Sequence, residues 1–174
     1  LVCSEASAGN ALVVGYAEFN AGRESLLRLG QVNRIYADSG MKVGAKTPGR
    51  INFNDGLSSP TAVFRNKAGS GAQSLWAIGD NLHTGGGSTV SHIGTVDFTG
   101  GTVDALVDTV IVGRSLNGAT GTAKSTGVLH FASGIIVVSG SMDIGLQPVA
   151  GTASAVGAVR VGPGGQLQVG GNLR

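Results

Sequence analysis

The longest run without glycine in this chain is 12 residues, Leu57 to Ala68, and Pro60 interrupts it. A glycine inside a helix costs about 1 kcal/mol relative to alanine, so a chain broken this often is not built from helices. Its 31 glycines do not fall at every third position, which excludes a collagen triple helix. Apolar residues make up 41% of the chain, enough for a core and too many for a disordered segment. The expectation is short strands joined at glycine corners.

Two short patterns recur. The first is a large apolar residue, any residue, an apolar residue, then glycine. It reads Leu12–Gly15, Leu27–Gly30, Met41–Gly44, Trp76–Gly79, Val110–Gly113 and Met142–Gly145. The middle position takes Val13, Arg28, Lys42, Ala77, Ile111 or Asp143. This is a strand whose alternate residues face inward and outward. The second pattern places two alternating apolar residues between glycines. It runs Gly49–Gly56, Gly94–Gly101, Gly127–Gly134 and Gly157–Gly164, with the apolar pairs Ile51/Phe53, Val96/Phe98, Leu129/Phe131 and Val159/Val161. A weaker third alternation follows, seen at Val103/Ala105, Ile136/Val138 and Leu167/Val169.

The terminal glycines of the first pattern at 44, 79, 113 and 145 recur every 35, 34 and 32 residues. Three short strands per unit of 30–35 residues predict an all-β fold, a right-handed parallel β-helix with three strands per coil. A coil cannot bury its inward row alone, so coils must stack. The expected inward core is Val14, Leu29, Val43, Trp76, Ile78, Val96, Phe98, Val110, Val112, Leu129, Phe131, Met142, Ile144, Val159 and Val161. The expected corner glycines are Gly15, Gly30, Gly44, Gly79, Gly113 and Gly145 from the first pattern, and Gly49, Gly56, Gly94, Gly101, Gly127, Gly134, Gly157 and Gly164 from the second. Residues 1–174 read as one solenoid module, less regular over 1–44 and regular over 45–174. In 1–44 the glycine spacing fits either short coils or strands alternating between two faces. A two-sheet antiparallel sandwich is the competing architecture, and it does not require a 33-residue recurrence.

The stretch from Gly94 to Thr109, and that from Gly157 to Val161 leading to Gly170–Arg174, are similar to the β-strand repeats associated with bacterial autotransporter passengers. Such repeats occur in large secreted proteins of Verrucomicrobia and related bacteria, many with a PEP-CTERM sorting tail. The resemblance implies an extracellular β-helix and brings no catalytic motif with it.

Charged residues are 13% of the chain, about half the usual share, and the net charge is +2. Without a clustered basic run, no nucleic-acid partner is expected. No run of about 18 apolar residues exists, so no transmembrane helix is expected. Cys3 is the single cysteine, which excludes an internal disulfide. Polysaccharide-cleaving β-helices need converging carboxylates. Asp97, Asp104 and Asp108 lie close in sequence, but Asp97 and Asp104 fall on different sides of the coil. The Asp97 column is expected to hold Asn52, His130 and Arg160, and Asp108 to sit in a turn. His83, His92 and Asp80 surround one glycine-rich loop and offer metal-ligand types. Their spacing has no preferred ligand geometry, and the reading is a solvated loop. The loops 80–93, 114–126 and 146–156 follow the same strand and should leave along one edge.

No catalytic, metal or cofactor site is therefore expected, and the chain reads as a non-enzyme. The expected role is an extracellular or cell-surface structural solenoid, part of an adhesin or a self-assembling fibre. Its partners are further copies stacked head to tail or the rest of a longer solenoid, with surface glycans as a further candidate. The alternative is a polysaccharide-binding or polysaccharide-degrading β-helix.

Overall fold

A computed structural model describes residues 12–15, 23–45, 47–81, 91–116, 124–148 and 154–174. These form twelve strands in one wrapped sheet: β1 Leu12–Val14, β2 Ser25–Leu29, β3 Val32–Tyr36, β4 Met41–Val43, β5 Gly49–Phe53 and β6 Thr61–Arg65, then β7 Gln73–Ile78, β8 His92–Asp97, β9 Thr102–Val112, β10 Lys124–Val138, β11 Met142–Ile144 and β12 Ser154–Val169. Every pairing is parallel. The chain is a parallel β-solenoid with three sides.

The first side stacks β1, β4, β7, the second half of β9 and β11. The second stacks β2, β5, β8 and the first halves of β10 and β12. The third stacks β3, β6, the start of β9, and the second halves of β10 and β12. Each side is therefore five rungs deep. The opening glycines of the second pattern lie directly on one another, Gly49 on Gly94 on Gly127 on Gly157. That register is what the sequence recurrence demands, and an antiparallel sandwich does not produce it.

Residues 25–43 join the same ladders. Leu27–Gly30 carries the first pattern but belongs to the second side, where Leu27 and Leu29 lie over Ile51 and Phe53. The first-pattern strands β1, β2 and β4 thus alternate between the first and second sides, and Gly30 is not a member of the first-side glycine row. Its surroundings are open, and a Cβ at Gly30 would meet nothing within 4 Å. Gly164 also departs from its expected slot. A bulge between Phe131 and Ser133 puts Gly164 opposite Ser133 and Gly165 opposite Gly134.

The alternate side chains of the three sides meet in one core. Phe64 packs edge-on against Trp76 at 4.9 Å between ring centroids, and Phe98 lies 5.4 Å from Phe64. Val14, Leu29, Val43, Trp76, Ile78, Val96, Phe98, Val110, Val112, Leu129, Phe131 and Met142 are buried as expected. Ile144 and Val159 are half-buried against this cluster. Val161 is the exception, 44% exposed although it stacks on fully buried Phe131. It lies in the last rung, where no strand among the described residues covers it.

The outward row of the first side also departs from a solvated face. Ala77, Ile111 and Asp143 are buried there. Asp143 is accommodated because Arg174 closes on it through bonds of 2.8 and 3.1 Å.

Candidate functional site

Two surface features have enough chemistry to be weighed as sites: the glycine corner with its loops, and a cleft on the second side.

At the corner between the first and second sides, the first-pattern glycines Gly15, Gly44, Gly79, Gly113 and Gly145 all take positive φ. Gly79 shows why no other residue fits. Its φ is 62°, and a Cβ there would overlap Thr126 O of the next rung. Gly94, where the chain returns from the loop, has ordinary φ but no space, because a Cβ would overlap Gly79 N and Val43 O. The two glycines pinch the loop at its base. The bond from Gly79 N to Val43 O (2.8 Å) carries the ladder across the corner, and Gly44, Gly113 and Gly145 repeat it at the same length. The loops 80–93, 114–126 and 146–156 thus start from one stacked edge; their interiors, with His83, lie outside the described residues, as does Cys3.

The loop bases are polar and closed rather than solvated. Asn81 bridges to Ser115 on the next rung, and Ser115 N donates to Leu146 O at 3.0 Å. His92 opens β8 directly under Ser125 of β10, and Asn81, His92, Ser115 and Ser125 are all buried. Asp80 is held by Arg114 in a two-pronged ion pair, Nε to Oδ1 and Nη2 to Oδ2, both 2.8 Å. Among the described residues no group of three His, Cys, Asp or Glu side chains converges. Asp80 is occupied as the partner of Arg114.

The cleft, about 370 Å³, lies where the second side turns into the third. Asn52, Asn54, Asp55, Asp97 and Thr99 line it, with Phe53 and Gly100 between them. Asn52 lies over Asp97, Asp97 over His130, and His130 over Arg160, the predicted column. Asp97 Oδ1 accepts from Thr99 N at 3.0 Å and from its hydroxyl at 2.7 Å, so this carboxylate is fixed as a turn cap. Asp55 pairs with exposed Arg28 at 3.3 Å.

Asp104 is on the third side, paired with Arg65 at 2.6 Å. Asp108 lies within β9, at the corner where that strand passes from the third side to the first, and its Oδ1 accepts from Ser139 Oγ of the next rung at 3.0 Å. Asp97, Asp104 and Asp108 are therefore not brought together, and each is committed to a neighbour.

All five ion pairs among the described residues, Arg28–Asp55, Arg50–Glu24, Arg65–Asp104, Arg114–Asp80 and Arg174–Asp143, join adjacent rungs. The sequence signal for one was present: Asp80 and Arg114 each directly follow a first-pattern glycine, one period apart. The chain matches no protein-family model, no curated protein and no solved structure.

Proposed function

We propose that this chain is a non-catalytic structural module, a stiff segment of an extracellular adhesin or fibre on a bacterial cell surface. The observation that carries the reading is the set of three parallel ladders stacked around one apolar core. Each ladder adds backbone hydrogen bonds along the axis, so the rod resists bending and extends by adding coils. Of the three candidate carboxylates, Asp104 and Asp108 bond to neighbouring rungs and Asp97 caps its own turn, so they do not converge. Surface labelling tests the location: antibody against the chain should decorate intact cells of the producing organism. Label appearing only after lysis would overturn the extracellular reading.

The cleft favours the second reading, a polysaccharide-binding module. Its amide, carboxylate and hydroxyl groups are the polar types that bind sugar hydroxyls. Against it stands the single tryptophan, Trp76, which is fully buried and offers no stacking platform. Incubation with a panel of polysaccharides separates the readings. The structural reading predicts no reducing-end or unsaturated-product release and no retention on the polymer.

A further inference from the structure

The outward face of the second side carries three in-register columns over β8, β10 and β12. Nearest the loop corner stand Ile93, Thr126 and Val156, with Ile93 38% and Val156 53% exposed. Beside them stand Thr95, Val128 and Ala158. Asp97, His130 and Arg160 form the third column, next to the turn into the third side. Two columns are therefore apolar or threonine, and the third runs from a carboxylate to a guanidinium.

The charges of the third column are not spent inside the chain. Neither Asp97 nor Arg160 belongs to any of the five ion pairs among the described residues. The Thr99 cap takes only Oδ1 of Asp97. Asp97 and Arg160 lie two rungs apart with His130 between them. The other two sides have no equivalent face. Ala77, Ile111 and Asp143 are buried in the outward row of the first, and on the third Arg65 is paired with Asp104.

We propose that this face is a self-association surface, and that two copies of this chain pack side to side through it as a closed two-fold dimer. The charge order makes a second copy the occupant. Turned end for end, the column Asp97, His130, Arg160 is its own electrostatic complement. A two-fold axis along the strand direction of β10 performs that reversal. It sets Asp97 of each copy against Arg160 of the partner subunit, Ile93 against the partner's Val156, and Thr95 against the partner's Ala158. The facing sheets lie about 10 Å apart with their strands aligned. Like groups meet only on the axis: Val128 and Thr126, His130, and Lys124 at the exposed rim. The face does not depend on what stacks on either end of the solenoid. The proposal rests on the fold alone, not on the location or role proposed above.

Between outermost Cα positions the patch spans about 13 Å along the strands and about 10 Å across the rungs. That is smaller than a standard interface of about 800 Å² per partner, so the dimer is weak and reversible.

Sedimentation velocity of the 174-residue chain, in a concentration series up to about 1 mM, tests this. The expected result is a monomer–dimer equilibrium with no larger species. Asp97→Arg and, separately, Arg160→Asp place like charges against each other and should each weaken the dimer at least about tenfold. A one-to-one mixture of these two variants restores opposite charges at both contacts and should dimerise as the wild type does. Val128→Arg, on the axis, should abolish the dimer, and Val13→Arg, on the first side, should leave it unchanged. Trp76 emission checks that each variant is folded. A folded wild type that stays monomeric throughout overturns the dimer. So do species larger than two, or a mixture no more associated than its components. None of these outcomes touches the structural reading, which surface labelling tests separately.

Discussion

Arg114 lies one rung above Asp80 and grips it through two bonds of 2.8 Å, with the Asp80 side chain only 2% exposed. Both residues follow a corner glycine, so the solenoid repeat itself brings them together. Removing one partner of a buried pair strands the other charge and costs about 3–5 kcal/mol. Arg114→Ala should therefore lower stability by at least about 3 kcal/mol in urea unfolding. Asp80→Leu combined with Arg114→Leu should cost less than the single change. A double change costing as much as the sum of the singles would show that the two charges do not interact.

The corner glycines should divide by position. Gly79→Ala forces a side chain into positive φ, which alone costs about 1–3 kcal/mol, and drives a Cβ into Thr126 O. Gly30→Ala meets open space and should be neutral or stabilising by up to about 1 kcal/mol. Thermal unfolding of the two variants side by side reads the contrast. Equal losses would mean that the glycines are not distinguished by their rung position.

Trp76 reports on the core. Its indole N–H donates to Gln73 Oε1 at 2.7 Å, and Gln73 in turn donates to Ile35 O and Arg65 O at 3.0 and 3.1 Å. The native emission should be blue-shifted and slow to quench with acrylamide. Gln73→Leu leaves the indole donor and two buried carbonyls without this amide. It should cost about 1–3 kcal/mol and be read as an earlier emission shift in urea.

Much of this fold is legible in the sequence, for a physical reason. A parallel solenoid repeats its environment every coil, so the same slot asks for the same residue type. The column Gly49, Gly94, Gly127, Gly157 can be aligned by inspection, and so can Asn52, Asp97, His130 and Arg160. The sequence misleads where the repeat slips or where local pattern is ambiguous. Leu27–Gly30 satisfies the first pattern as well as Met41–Gly44 does, and only its pairing with β5 assigns it to the second side. Gly164 leaves its expected slot because the bulge shifts the register by one residue. Asp80 and His92 read as solvated loop residues because glycine flanks them. They are buried because the loop bases stack on one another, a contact between coils that single-unit reading does not contain.

The amide ladder should also grade protection by rung. Hydrogen exchange should be slowest in β8 and β9, which are paired on both sides. It should be faster in β12, which pairs with β10 alone among the described residues.

The most direct measurement of the parallel stack is a cysteine cross-link between rungs. Thr95 and Val128 are in-register neighbours on β8 and β10, within the reach of a disulfide for strands about 4.8 Å apart. With Cys3→Ser removing the native thiol, the pair Thr95→Cys and Val128→Cys should oxidise to a cross-linked monomer that retains native Trp76 emission. Thr95→Cys with Ala158→Cys, two rungs apart, should not. Cross-linking of the second pair but not the first would contradict the stacked parallel register on which the whole account rests.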